Sequence, residues 1–242
     1  MGIDEVSTTT AVDRVKTTVE EAISGRADVR VLDAGCGSDS ARAGFPVPRA
    51  FEDAHVLGVD IASEALERNA LLDERLVADI QTVALPASSF DVVVMWDVLE
   101  HLPDPIAAIR NAAQTVRPGG ILVVGVPNLW SLKGLVTKLT PFWLHRLVYR
   151  RVFDVAGTTG GPFRTHLRRS IAPARLKGMI EAMGFETKVA VVYGSDVAAE
   201  MFAGHVWLER IWRTASLIPS ALSLGRVRPD LTEAAFVFER RS

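Results

Sequence analysis

The sequence predicts a doubly wound α/β fold with seven strands in a mostly parallel sheet, an antiparallel last strand, and a helical insertion after the fifth strand. Three observations carry this expectation. Several short β-branched runs are apolar almost throughout, the pattern of strands covered on both faces. Stretches with helical spacing or helix-capping residues alternate with them. The alternation then stops after Val126, where a long block rich in aromatic and basic residues begins. With 242 residues and 48% apolar content the chain can bury one substantial core. Nothing in its middle reads as a linker, so residues 1–242 are expected to form a single domain.

The elements follow in order. "TAVDRVKTTVEEAI" has an apolar stripe at helical spacing and is expected to end at Gly25. "VRVLDAG" is the first strand and "HVLGVD" the second. Between "HVLGVD" and the third strand, "RLVAD", "SEALERNALL" reads as a helix capped by Ser63. "FDVVVMW" is the fourth strand. "DPIAAIRNAAQTV" follows as a helix with Asp104 at its cap and Pro105 at its first position. "GILVVGVP" is the fifth strand, after which residues 127–170 are expected to form a helical cap. "APARLKGMIEAMGF" is a helix closed by Gly184, and "FETKVAVVYG" and "EAAFVFERR" complete the sheet.

The first strand runs into a glycine turn, "LDAGCGSDS". Gly35 and Gly37 permit a tight bend and close approach of a ligand, and Asp60 ends the second strand 23 residues after Gly37. Open α/β sheets bind ligands outside the carboxyl ends of their strands, where an acid at this place hydrogen-bonds ribose hydroxyls. Such turns usually cradle phosphate, yet here Asp33 precedes the first glycine and Asp39 follows the second. A carboxylate a few ångströms from a pyrophosphate opposes it by roughly 1 to 4 kcal/mol. Ser40 also stands where a dinucleotide fingerprint has its third small residue. A ligand with an adenosine portion and positive charge, such as S-adenosylmethionine, suits the turn better. The plain structural alternative is that Asp33 caps a turn and Asp39 a helix.

"VLDAGCGS", "VLGVDIASEALERN", "ADIQTVALPASSFDVVVMWDVLEHLPDP" and "VRPGGILVVGVPN", taken in order, resemble the class I S-adenosylmethionine-dependent methyltransferases, with their Rossmann-like sheet. The resemblance covers about residues 29–128. It implies S-adenosylmethionine as cofactor, with Asp33, Gly35 and Gly37 along its methionine portion. Asp60 would hold the ribose hydroxyls, with Ile61 beside the adenine. Asp79 would accept from the adenine amino group, Ile80 would pack on the ring, and Trp96 would stand near the cofactor at the end of the fourth strand, unless it serves packing alone. Asp39 departs from the pattern, since many members have a third glycine there.

"WDVLEHLPDP" is similar to the corresponding stretch of the quinone-biosynthesis O-methyltransferases. Three readings of Asp97, Glu100 and His101 stand. His101 is a general base, for which an imidazole titrating near neutrality is suited. The three bind a divalent ion, although so small a set is a weak metal signal and no metal is expected. Or they order the loop. Methyl transfer itself needs mainly alignment and exclusion of water, because the sulfonium is already a good leaving group.

Charge is uneven. Residues 128–179 hold ten lysines and arginines against one acid, Asp154, a net +9, which leaves −11 for the rest of a chain whose total is −2. Its readings are a cap whose aromatics fill the core, an acceptor lid with Arg164, His166 and Arg168 as substrate contacts, or a surface for an anionic bilayer. Nucleic acid is disfavoured, since no RNA-binding module is present and most of the chain is acidic. The acceptor is therefore expected to be a small molecule, with an anionic or lipid-linked one among the candidates, and a hydroxyl on a sugar, glycolipid, quinone or secondary metabolite as the methylated group. Two rivals remain: a nicotinamide-dependent oxidoreductase, and a membrane-associated cofactor-binding scaffold without turnover. The lone Cys36 fits a reducing compartment, and neither a leader pattern nor an apolar run of about 18 residues is present. The expected location is cytoplasmic.

Overall fold

Strands buried on both faces must be covered by two layers, and the chain supplies them. A computed structural model describes residues 2–38, 53–128, 168–194 and 231–242. Among these, eight strands form one sheet: β1 (Asp4–Glu5), β2 (Arg30–Ala34), β3 (His55–Asp60), β4 (Glu74–Val77), β5 (Phe90–Trp96), β6 (Val116–Pro127), β7 (Phe185–Tyr193) and β8 (Glu233–Arg240). Their spatial order is β1-β7-β8-β6-β5-β2-β3-β4. Only β8 runs against its neighbours, pairing antiparallel with both β6 and β7. The seven strands read from the sequence are all present. The two-residue β1 is an addition: it pairs parallel with β7, Asp4 opposite Val191, and is too short to leave a periodic signal.

The helices are α1 (Thr8–Ile23), α2 (Ser63–Arg68), α3 (Pro105–Thr115) and α4 (Pro173–Ala182), with 3-10 turns at Leu99–His101 and Arg169–Ile171. Alternate residues of each strand feed separate cores. Leu32, Val93, Met95 and Phe236 pack with Ala108 and Ile109 of α3 and Leu176 and Ile180 of α4. Val31, Val92, Val94 and Val237 pack with Ala11, Val15 and Val19, which line one stripe of α1. Burying each such aliphatic side chain stabilises the fold by about 1.5 to 3 kcal/mol, and the two-sided demand explains the near-absence of polar residues in "FDVVVMW".

Caps set the helix ends. Ser7 Oγ accepts from Thr10 N at the start of α1, and Asp104 Oδ1 accepts from Ile106 N and Ala107 N beside Pro105. The expected Ser63 cap is corrected: Ser63 is the first residue of α2, and Ala62 precedes it without a side-chain cap. That helix is also shorter than its sequence suggests. The buried Asn69 turns away to donate to Gly37 O at 3.3 Å, and Arg75 Nε takes the Leu66 carbonyl at 2.9 Å. Tertiary partners end the helix where propensity would continue it.

The expected helical cap at 127–170 lies outside the described residues except at its two ends. The posts of the chain around it are fixed. Asn128 donates through Nδ2 to Leu231 O at 2.9 Å and through its backbone to Thr232 O at 2.7 Å. Thr8 Oγ1 donates to Gly194 O at 2.5 Å, holding the end of β7 to the start of α1.

Candidate cofactor and active site

The carboxyl ends of β2, β3 and β5 meet at the turn after β2, next to the sheet position where the chain's direction of progress reverses. Gly35 lies at φ +78°, and a Cβ there would sit 2.2 Å from Val98 Cγ2. Both the backbone conformation and the close approach of the segment after β5 therefore require glycine. Its N–H donates to Val59 O at 2.7 Å, binding the turn to β3. At Gly37 a Cβ would meet no atom within 4 Å among the described residues, so this side of the turn is open to a ligand. Asp39 and Ser40, the other loop residues weighed from the sequence, lie outside the described residues.

Asp60, at the end of β3, is half-buried. Its Oδ2 accepts from Gly37 N and its Oδ1 from Ala62 N, both at 2.9 Å. Two backbone amides thus aim the carboxylate but use only part of its acceptor capacity, which leaves lone pairs for two adjacent hydroxyls. Ile61 beside it is 73% exposed, an apolar surface that a flat base would cover. Asp79 follows β4, its Oδ1 accepting from Gln81 N and its two oxygens straddled by Gln81 Nε2. Ile80 is 4% exposed and belongs to the core, so it supports the loop from beneath while Ile61 offers the open face.

Asp33 is buried at 4% exposure, close to the turn's cysteine. Burial first, then the carboxylates of Asp33 and Asp60, push the Cys36 thiol far above its ordinary range. Asp33 and Asp60 thus place two carboxylates beside the turn, an arrangement that favours a sulfonium or ammonium over a diphosphate.

The segment after β5 carries the remaining groups. The Trp96 ring lies against Gly125, where a Cβ would be 2.4 Å from Cδ2, so glycine on β6 makes room for the indole. Asp97 has φ +52° and donates its N–H to Gly125 O at 3.2 Å. In the following 3-10 turn, the buried Glu100 places Oε1 3.9 Å from Nε2 of His101, whose side chain is 33% exposed. Asp97, Glu100 and His101 do not make up a metal-ligand cluster: no group of three or more His, Cys, Asp or Glu side chains among the described residues is arranged to hold an ion.

The sheet also brings Tyr193 to this rim, and sequence reasoning passed over Glu233 and Gln81. Tyr193 ends β7 opposite Glu233 of β8 and is buried. Burial, then the carboxylates of Glu233 and Asp97, raise its phenol well above the ordinary value, so it stays a neutral hydroxyl. Cross-strand pairing alone brings Tyr193 and Glu233 together, a signal that needs strand order. Of the three residues assigned to the acceptor, Arg168 is exposed ahead of the second 3-10 turn; Arg164 and His166 lie outside the described residues.

The order β7-β8-β6-β5-β2-β3-β4, with an antiparallel β8 and acids at the ends of β2 and β3, defines a class I methyltransferase fold. The family model described as "Methyltransferase domain" matches residues 9–188, and the chain belongs to this family, within the class I S-adenosylmethionine-dependent methyltransferases. It is 35% identical over 141 residues to a ubiquinone biosynthesis O-methyltransferase of Aromatoleum aromaticum, covering 52% of this chain and 58% of that protein. It is 39% identical over 111 residues to the 27-O-demethylrifamycin SV methyltransferase of Amycolatopsis mediterranei, covering 41% and 39%. The chain thus spans about half the length of these curated relatives. Among solved structures it resembles an S-adenosylmethionine-dependent methyltransferase from Mesorhizobium loti (TM-score 0.55, 18% identity, 95% of this chain and 100% of that one). It also resembles the [4+2]-cyclase SpnF (TM-score 0.56, 20% identity, 98% and 83%). These two likenesses concern the fold, and the cyclase is a reminder that fold alone does not name a reaction.

S-adenosylmethionine is the cofactor of this family. The residues present fit it: among the described residues Gly37 has room beside it and Asp60 accepts from two backbone amides only, Asp33 and Asp60 set two carboxylates at the turn, and Ile61 is exposed. Among the described residues, no helix is long and apolar enough to cross a membrane.

Proposed function

We propose that this chain is an O-methyltransferase acting on a small molecule with S-adenosylmethionine as methyl donor. The observation that carries the reading is the pair of carboxylates at the turn after β2, Asp33 buried in the strand and Asp60 aimed by Gly37 N and Ala62 N. In this reading Asp60 takes the ribose hydroxyls, Asp79 the adenine amino group, Ile61 covers the ring above the Ile80 support, and Asp33, Gly35 and Gly37 flank the methionine portion. When bound, the cofactor supplies an electrophilic methyl group on a positively charged sulfur. Trp96 bounds the site on the β5 side and excludes water from it. His101 takes the proton from the acceptor hydroxyl, and the Glu100 carboxylate 3.9 Å away steadies the charge that the ring acquires.

Oxygen as the methylated atom is supported by the names of the relatives, one from ubiquinone biosynthesis and one acting on a rifamycin precursor. The acceptor side takes in Asp97, Tyr193 and Glu233 along the same sheet edge, together with Arg164, His166 and Arg168 from the basic block. A phenolic or sugar hydroxyl meets hydrogen-bonding partners there. Cytoplasmic location and the cap role of residues 127–170 belong to the same proposal.

The test is calorimetric titration of the purified chain with S-adenosylmethionine and with NADH. Micromolar binding of the first and none of the second is expected. Labelled methyl from the cofactor should then pass to a compound in small-molecule extract, releasing S-adenosylhomocysteine. Preferential binding of NADH would overturn the reading, and cofactor binding without transfer to any extract component would leave only a scaffold.

A further inference from the structure

The carboxylate of Asp79 is held by a neutral side chain, and the hydrogen bonds leave that side chain one orientation. Gln81 Nε2 lies 2.9 Å from both Oδ1 and Oδ2 of Asp79, and the Gln81 backbone N–H donates to Oδ1 at 2.9 Å. At its other end Gln81 Oε1 accepts from Asp104 N at 2.7 Å. Reversing the amide would set an oxygen against a carboxylate and an NH2 against an N–H, so only one placement satisfies both ends. The backbone of the loop is fixed separately. Thr82 N and Val83 N donate to Asp79 O, and Asn111 Nδ2 on α3 donates to Ile80 O at 2.8 Å and Val83 O at 2.7 Å. Asn111 therefore anchors the loop, while among the described residues the Asp79 side chain is anchored by Gln81.

We propose that Gln81 is the positioning residue for base selectivity: it locks Asp79 as a hydrogen-bond acceptor and so selects a 6-aminopurine over a 6-oxopurine. The inference rests on the reading that the pocket holds S-adenosylmethionine. A base amino group can donate to the lone pairs of Asp79 that Gln81 leaves unused. A 6-oxo group would bring a carbonyl oxygen against the carboxylate, and the blocked rotation keeps Asp79 from turning to the neighbouring N1–H that such a base carries. The same amide ties the pocket to Asp104, the cap of α3, and through it to the segment that carries Glu100 and His101.

Calorimetry with S-adenosylhomocysteine and S-inosylhomocysteine tests this directly. The wild-type chain should prefer the adenosyl ligand by about 30-fold or more. Gln81→Glu keeps an acceptor for Asp104 N but turns an oxygen toward Asp79, so it should lower that preference about 10-fold or more without a comparable loss of melting temperature. Gln81→Leu should lower it similarly. Asn111→Ala should lower the melting temperature and leave the preference intact. A folded Gln81→Glu or Gln81→Leu chain with the wild-type preference would overturn the proposal. Wild-type chain that binds neither ligand would instead overturn the cofactor reading beneath it.

Discussion

Asp91 lies at the amino ends of the strands and Asp60 at their carboxyl ends; both carboxylates accept from backbone amides, but among the described residues only Asp91 is also bound by cations. Asp91 is 1% exposed, accepts from Arg30 N at 2.9 Å, and is gripped by Arg26 at 2.8 Å and Arg117 at 2.5 Å. Asp60 is held by two backbone N–H groups, and Asp79 by the amides of Gln81. Neutral donors orient a carboxylate without cancelling its charge, whereas guanidinium groups do both. One end of the sheet uses its acid for cohesion; at the other, backbone amides and Gln81 orient the acids.

The contrast can be broken most sharply at Asp91. Asp91→Ala should cost about 2 to 4 kcal/mol of stability, because two partly exposed arginines and a backbone amide lose their acceptor. Urea denaturation checks this, with cofactor affinity unchanged in the fraction that folds. Next comes the chemistry: His101→Ala should slow methyl transfer about 10²-fold while cofactor affinity holds, measured in single turnover. A near-normal rate would return His101 to ordering the loop. Asp60→Ala should weaken cofactor binding by about 1 to 3 kcal/mol with little change in melting. Unchanged affinity in a folded variant would dissolve the contrast altogether. The smallest effect is on alkaline stability. The thiol of Cys36 and the phenol of Tyr193 are both raised on folding, so the folded state holds protons that the unfolded chain releases. Their contribution is complete below the unfolded values near 8.5 and 10 and is lost as pH climbs above them, by up to about 1.4 kcal/mol per pH unit for each group. Cys36→Ala should remove the earlier of the two declines in a series of melts from pH 8 to 10.

Most of the fold was legible because two-sided burial leaves a strong mark. "FDVVVMW" and "VRVLDAG" need apolar residues at nearly every register, and the Asp104 cap is local. What escaped the reading depended on distant partners. The length of α2 is decided by Asn69 and Arg75 bonding outside the helix, and β1 exists only because β7 offers an edge. The site divides in the same way. Asp60 drew notice because it ends the second strand, a position the alternation reveals, whereas Asp79 came only from the family resemblance. Gln81 was not found, because its role lies in two side-chain bonds 2 and 23 residues away. Asp33 was identified by its charge, but its near-complete burial needed coordinates.

Asn128 and Thr8 give the molecule a property that engineers can use. Asn128 ties the exit from β6 to the entry into β8, and Thr8 ties down the exit from β7. Residues 129–167 and 195–230 therefore begin or end at staked points on the rim, apart from the donors that aim Asp60 and Asp79. On the proposal that residues 127–170 cap the acceptor, a chimera that imports residues 129–167 from a relative should retain the parent's nucleoside affinity while its acceptor preference follows the donor of the graft.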